Sequence, residues 1–183
     1  LTLLNAKTIG VSLKPQDSLN HWDSLNLNLT SQYTTDINNY QKLSLIFKKE
    51  NPEIVFHLAA QPIVREGFKS PLKTWATNVM GTANLLDCCR HSKSVKAVVV
   101  VTTDKCYENN ESHWGYREDD KLGGKDPYSA SKASSELVVQ SFRNPKLNLN
   151  NETKYATARA GNVIGGGDWS QDRLIPDAIK SLI

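Results

Sequence analysis

The stretch that decides the fold runs from Val95 to Lys132. It begins Val95-Lys96-Ala97-Val98-Val99-Val100-Val101, continues Thr102-Thr103-Asp104-Lys105, and further on reads Asp126-Pro127-Tyr128-Ser129-Ala130-Ser131-Lys132. A continuous β-branched run predicts a strand buried on both faces of a parallel sheet. Polar residues at the carboxyl end of such a strand stand where open α/β sheets place their ligands. Tyr128 and Lys132, four residues apart, fall on one face of the next helix. Scaffold and reactive side chains are therefore read together.

Working outward, the same alternation of strand and helix continues. A helix end at Leu1 to Asn5 precedes a strand from Lys7 to Leu13, and a polar stretch from Lys14 to Leu29 carries no period. A short strand near Ser31 to Thr35 leads to Asp36, a helix is predicted from Asn38 to Lys49, and Asn51-Pro52 closes it. Glu53 to Leu58 reads as a strand. Ser70-Pro71 supplies a cap and a first-turn proline for a helix carrying Leu72, Trp75, Ala76, Val79, Ala83 and Leu86 at helical spacing. After the strand at Val95 to Thr102, a long loop is of the length that marks functional segments. Asp126-Pro127 repeats the cap-then-proline start of a helix through Phe142. A polar connection from Asn144 to Thr153, a strand from Tyr155 to Ala160, a glycine-rich turn from Gly161 to Asp168 and a helix from Arg173 to Ile183 complete the chain. The pattern predicts an α/β, doubly wound parallel sheet with right-handed crossovers.

Composition sets the outer limits. At 183 residues, 39% apolar and 22% charged, the chain has the make-up of a single globular domain with a sizeable core. Its longest uncharged apolar run, Ala97 to Val101, is too short to span a bilayer. No signal peptide pattern opens the sequence. Together these predict a cytoplasmic protein with no membrane partner. A net charge of +3, with only Lys48-Lys49 adjacent among the cations, gives no stripe for tracking phosphates, so no nucleic-acid partner is expected. Cys88, Cys89 and Cys106 are odd in number and lack ligand spacing, which predicts reduced, structural cysteines and no metal.

Tyr128 and Lys132 are the first chemical candidates. A tyrosine serves as a base only when its pKa, about 10 when free, is brought toward neutrality. Lowering it by about three units takes roughly 4 kcal/mol of preferential phenolate stabilisation. An ammonium at about 4 Å supplies a contribution of that order at an effective dielectric near 20. Tyr-x-x-x-Lys also arises on many helices as plain packing, so its surroundings matter. Thr103 ends a buried strand and can offer a hydroxyl to a substrate hydroxyl. Asp104 and Lys105 follow at once, either as reactive groups or as a solvated turn. His57 closes another strand and reads as a core histidine, while Leu58, Ala59, Ala60 and Gln61 let a flat ligand approach the backbone. Asp36 and Ile37 offer a carboxylate and an apolar face suited to an adenine, and the position of Asp36 also suits a helix cap.

Taken together, these residues resemble the extended short-chain dehydrogenase/reductase family, and within it the sugar-nucleotide 4,6-dehydratases. The resemblance covers Ile54 to Pro176. It rests on HLAAQPIVRE from His57, TWATNVMGT from Thr74, VTTDKCYEN from Val101, GYREDDKLGGKDPYSASK from Gly115, ARAGNVIGGGDW from Ala158 and RLIPD from Arg173. Asp-Lys after Thr103 is most similar to the branch acting on CDP-glucose.

The resemblance implies NAD as cofactor and a nucleotide-sugar, CDP-glucose, as substrate. It implies Thr103, Asp104, Lys105, Tyr128 and Lys132 as catalytic residues, with Asp104 the acid at the departing 6-hydroxyl. Lys105 stands where related enzymes place the base for H5. Dinucleotide contacts are expected at Asp36, Ile37, Leu58, Ala59, Ala60, Gln61, Thr77, Tyr128 and Lys132, and substrate contacts at Thr103, Asn162, Arg173, Leu174 and Pro176. Another epimerase or reductase of the family, or a non-catalytic NAD-binding remnant, are the alternative readings.

Such a fold holds the pyrophosphate on a glycine-rich strand-to-helix turn. No G-x-x-G-x-x-G precedes the strand at Lys7, and Gly165-Gly166-Gly167 has neither its position nor its spacing. The chain is therefore expected to be an internal piece of a longer enzyme, lacking the first strand and that loop. The expected domains are residues 1–165, which bind the dinucleotide, and 166–183, which begin a substrate region. A homo-oligomer pairing through the helices around Leu72 to Leu86 and Leu137 to Phe142 is expected.

Overall fold

The computed structural model describes residues 1–15, 22, 29–147, 153–165, 167–170 and 172–182. Of the segments read above, residues 16–21 and 23–28 of the polar stretch, 148–152 of the second polar connection, Gly166 and Ile183 lie outside the described residues. The chain divides into two compact units, Leu1–Asp36 with Asn162–Ile183, and Ile37–Gly161.

The first unit contains a 3-10 turn at Thr2–Leu4 and two parallel strands, β1 (Ile9–Ser12) and β2 (Ser31–Thr34), in register Ile9 to Ser31. Thr30 N–H to the Thr8 carbonyl (2.9 Å) and Thr35 N–H to the Ser12 carbonyl (3.0 Å) extend that ladder at both ends.

The second unit carries the helix α1 (Tyr40–Glu50), the strand β3 (Ile54–His57) and the short helix α2 (Val64–Lys69). Next come α3 (Pro71–Trp75), a π turn (Ala76–Met80) and α4 (Gly81–His91), followed by β4 (Ala97–Thr103). A 3-10 turn (Asp104–Cys106), α5 (Pro127–Phe142) and β5 (Lys154–Ala160) complete it. All three strands are parallel in the order β3-β4-β5, as alternating strands and helices require.

Local chemistry explains most boundaries. The Asn39 side chain caps α1 by accepting from Lys42 N–H at 3.0 Å, and Asn51 ends it in the left-handed conformation at φ 47°. The cap is thus Asn39, not Asp36. Asp126 caps α5 through Ser129 N–H (3.0 Å), with Pro127 in the first turn. Ser70, expected to cap by its side chain, does not; its carbonyl instead accepts from Thr74 N–H and the Thr74 hydroxyl.

The core lies on one face of β3-β4-β5. Leu43 and Phe47 of α1, Leu85, Leu86, Cys88 and Cys89 of α4, and Val139 of α5 meet Val98 and Val100 there. On the other face Ile54 and Phe56 are 59% and 50% exposed, and Val99 and Val101 are half-buried. The run expected to be buried on both faces is fully buried on one. β-branched residues favour a strand whichever face is covered. The cysteines are buried and free, with burial pushing the Cys88 thiol up to about 12 and the Cys106 thiol up to about 11.

α6 (Leu174–Leu182), in the first unit, begins right after Arg173. No helix of the described residues is long and apolar enough to cross a membrane.

Candidate active site

β4 delivers its last residues, Val101 to Thr103, to the carboxyl edge of the sheet, and the chain turns sharply there. Thr103 is extended and buried, and its hydroxyl accepts from Lys105 N–H (3.3 Å) while donating to the Asp104 carboxylate (2.9 Å). That pair of bonds closes the turn and leaves Asp104 and Lys105 exposed. A Cβ built on Gly161, at the end of β5, would lie 3.7 Å from Asp104 Oδ2. The carboxylate therefore stands over the ends of β4 and β5.

α5 brings Tyr128 and Lys132 to the same sheet. Both are buried. The Lys132 ammonium donates to the Val101 carbonyl at 2.9 Å, which ties the helix to the strand that ends in Thr103. Burial pushes the Lys132 pKa down, and the nearby Glu136 carboxylate opposes that shift. An ammonium carries three protons, so the Val101 carbonyl leaves Lys132 able to donate to a ligand hydroxyl or a phenolate. Close approach of the chain makes this placement possible. A Cβ on Gly124, in the segment before α5, would come within 2.4 Å of Ala130 N, so that position fits only as glycine, while one on Gly67 of α2 would make a tight 3.3 Å contact with Tyr128 N.

At the end of β3, Leu58 and Ala59 are exposed and Ala60 half-buried, an open ledge of small side chains beside an apolar one. Gln61 is different. It is buried, its N–H donates to Asn78 Oδ1 (2.8 Å), its side-chain amide to the Thr74 hydroxyl (2.8 Å), and its side-chain oxygen accepts from Ile63 N–H (2.6 Å). Asn78 in turn donates to the Gln61 carbonyl (3.1 Å) and to Ser131 Oγ (2.8 Å), inside the Tyr-x-x-x-Lys segment. The π turn carries Asn78 and the half-buried Thr77, and Gly81 N–H closes it on the Ala76 carbonyl. Ile37 packs over Gly81, whose Cβ would meet Ile37 Cγ2 at 2.6 Å. His57 is the expected core histidine: Nε2 lies 2.9 Å from the Thr82 hydroxyl, and burial, helped by Lys132, pushes its pKa down to about 4.

Thr103, Asp104, Lys105, Tyr128, Lys132, Ile37, Leu58, Ala59, Ala60, Gln61 and Thr77 thus share the second unit. The first unit holds exposed Asp36 after β2, exposed Asn162 after β5, half-buried Arg173, and Leu174 and Pro176 opening α6, Leu174 exposed and Pro176 buried. Sequence reading missed Asn78, Ser131, Glu136 and Arg159. Only Glu136, four residues after Lys132, had a local signal.

A phenol and an ammonium on one helix, facing a Thr-Asp-Lys turn, can remove a hydroxyl proton and donate another proton nearby. The model of the GDP-mannose 4,6 dehydratase family matches residues 8–153. CDP-glucose 4,6-dehydratase of Salmonella typhimurium is 46% identical over 99% of this chain and 52% of that protein. A dTDP-D-glucose 4,6-dehydratase of Dictyostelium discoideum is 33% identical over 82% of this chain and 36% of its own length. Among solved structures, dTDP-glucose 4,6-dehydratase DesIV of Streptomyces venezuelae, determined with NAD bound, superposes with a TM-score of 0.79 at 25% identity, covering 97% of this chain and 53% of that one. The fold is thus the Rossmann-type α/β fold. The chain spans about half the length of the Salmonella relative.

Proposed function

This chain belongs to the GDP-mannose 4,6 dehydratase family, and on that premise we propose that the protein is a nucleotide-sugar 4,6-dehydratase that converts CDP-glucose to CDP-4-keto-6-deoxyglucose, for deoxysugar and polysaccharide biosynthesis. One observation carries the reading: Lys132 fastens the Tyr128 helix to β4 immediately before the Thr103-Asp104-Lys105 turn. Relatives named for glucose 4,6-dehydration support it.

NAD, when bound, would supply both the acceptor and the donor of a hydride, so the reaction would consume none. The residues present fit it: Ala59 and Ala60 offer little side-chain bulk beside the apolar Leu58, and Lys132 keeps protons to donate. Asp36, Ile37, Leu58, Ala59, Ala60, Gln61, Thr77, Tyr128 and Lys132 are assigned to its binding, Gln61 through its backbone because its side chain is engaged. Tyr128, its phenolate favoured by Lys132, removes the proton of the 4-hydroxyl as hydride leaves C4. Thr103 orients that hydroxyl, giving up its bond to Asp104. The 4-keto group acidifies H5, and Lys105 is assigned to that side of the sugar. Asp104 protonates the departing 6-hydroxyl, so water leaves across C5 and C6. With the hydride that NAD would return to C6 and a proton taken up at C5, the sugar would lose one water overall.

Asn162, Arg173, Leu174 and Pro176 are assigned to the nucleotide-sugar, with residues 1–165 as the dinucleotide-binding part and 166–183 as the start of the substrate region. The protein is proposed to be cytoplasmic and homo-oligomeric through its helices, with neither nucleic acid nor membrane as partner. Incubation with CDP-glucose and NAD, followed by mass spectrometry, tests the reading. A product lighter by one water, with the strong-base absorbance of a 4-keto-6-deoxy sugar, is expected. An isomer of unchanged mass would instead mark a 4-epimerase and overturn it.

A further inference from the structure

Behind the Thr103 turn lies a network of charges that the steps above leave without a task. Glu136, one turn beyond Lys132 on α5, is buried. It meets Arg159 of β5 through a two-pronged pair, Nε to Oε1 at 3.1 Å and Nη2 to Oε2 at 3.2 Å. The Thr102 hydroxyl donates to the same carboxylate. Thr102 and Arg159 are ladder partners on β4 and β5, so both strands present a donor to Glu136 at one level. Lys132 and Glu136 therefore grip Val101 and Thr102 in successive helical turns. Burial raises the Glu136 pKa, but the bonds from Arg159, Thr102 and Thr157 outweigh it and hold the carboxyl below its ordinary range.

Arg159 also reaches the other way. Its Nη1 donates to the Tyr107 hydroxyl (2.9 Å) and to the Glu118 carbonyl (2.9 Å), and its guanidinium lies 4.8 Å from the centre of the Tyr107 ring. Tyr107 directly follows the Asp104–Cys106 turn and stacks on Tyr116 at 4.9 Å. The two arms of this segment are stitched by Glu108 N–H to the Lys121 carbonyl (2.9 Å) and Gly123 N–H to the Cys106 carbonyl (2.9 Å). The Asp104–Lys105 turn is consequently held by β4 on one side and by Arg159 through Tyr107 on the other. A buried ion pair is a poor source of stability, since well-packed apolar groups commonly do as well. What a planar fork with fixed donors supplies is direction.

We propose that Arg159, oriented by Glu136, is a positioning residue that sets the Asp104–Lys105 turn against the Tyr128–Lys132 helix. Proton removal at O4 and loss of water at C6 then occur in one bound pose. The inference rests on the dehydratase reading for its consequence, but not for its geometry.

The test compares the intact protein with its Arg159→Lys and Tyr107→Phe variants by amide hydrogen exchange and steady-state kinetics. Exchange is expected to accelerate across residues 104–123 while β4 and α4 stay protected. For CDP-glucose, kcat is expected to fall by up to about a hundredfold, as a misplacement near 1 Å does, with KM unchanged. Unaltered exchange at 104–123, or acceleration spread evenly over the protein, overturns the inference. So does a rise in KM with kcat intact. Should Arg159→Lys fail to fold, Tyr107→Phe, which removes one hydroxyl, decides on the same measurements. If the parent never converts CDP-glucose, the functional reading falls, and the exchange data alone decide the positioning claim.

Discussion

Tyr128 occupies the first turn of α5, buried against Gly67 and one turn from an ammonium fixed on the Val101 carbonyl. Replacing it by Phe keeps the ring and removes the acid–base group. Tyr128→Phe is expected to slow keto-sugar formation by about 10²–10⁴-fold while equilibrium dialysis still detects CDP-glucose binding; retained turnover would remove the phenolate from the mechanism. His57 predicts a pH dependence of folding. Its folded pKa is pushed from 6.5 down to about 4, so between these values the unfolded chain binds the proton more readily. Stability is fully present above about 6.5 and falls as the pH drops toward 4, by on the order of 3 kcal/mol. Thermal melts at pH 7 and pH 5 should show a smaller drop for His57→Gln than for the parent.

At the level of elements, a short signal often suffices. Asp126-Pro127 announces α5, and Asp126 accepts from both the Ser129 N–H (3.0 Å) and the Ser129 hydroxyl (2.6 Å). Asp126→Ala should cost about 1 kcal/mol, read as a lower denaturant midpoint, and because Tyr128 lies in that first turn, kcat should fall with it. β4, α1 and α5 were legible because their residues carry strand or helix signals in the local spacing. The helix at Val64–Lys69 was not, since it is too short to show a period. The break of the long helix into α3, π turn and α4 was equally hidden: Asn78 widens the turn by bonding to Gln61 and Ser131, residues 17 and 53 positions away. The partnership of Glu136 with Arg159 likewise depends on the pairing of β4 with β5. Tyr128, Lys132 and the Thr103 turn could be read from sequence because strand end and helix start follow one another directly; their supports come from elsewhere in the chain.

Across the molecule, the second unit draws its cohesion from a single apolar layer, with Leu86, Cys89, Val98, Val100 and Val139 at its centre. Leu86 is entirely buried, and Leu86→Ala should destabilise by about 2–5 kcal/mol, seen as a lowered Tm with unchanged composition of secondary structure. That layer depends on how the helix is phased through the wide turn at Ala76–Met80. Thr74, Asn78 and Thr82 all point inward across it, and Leu85, Leu86, Cys88 and Cys89 follow on the core side. The wide turn takes up one residue more than an α turn does, so rewinding the unchanged sequence as ordinary α-helix would swing everything downstream by about 100°, sending that apolar quartet toward water. In a mutational library a one-residue deletion inside the wide turn should therefore be tolerated better than one inside α4, where nothing absorbs the lost residue and the side chains beyond it turn away from the core.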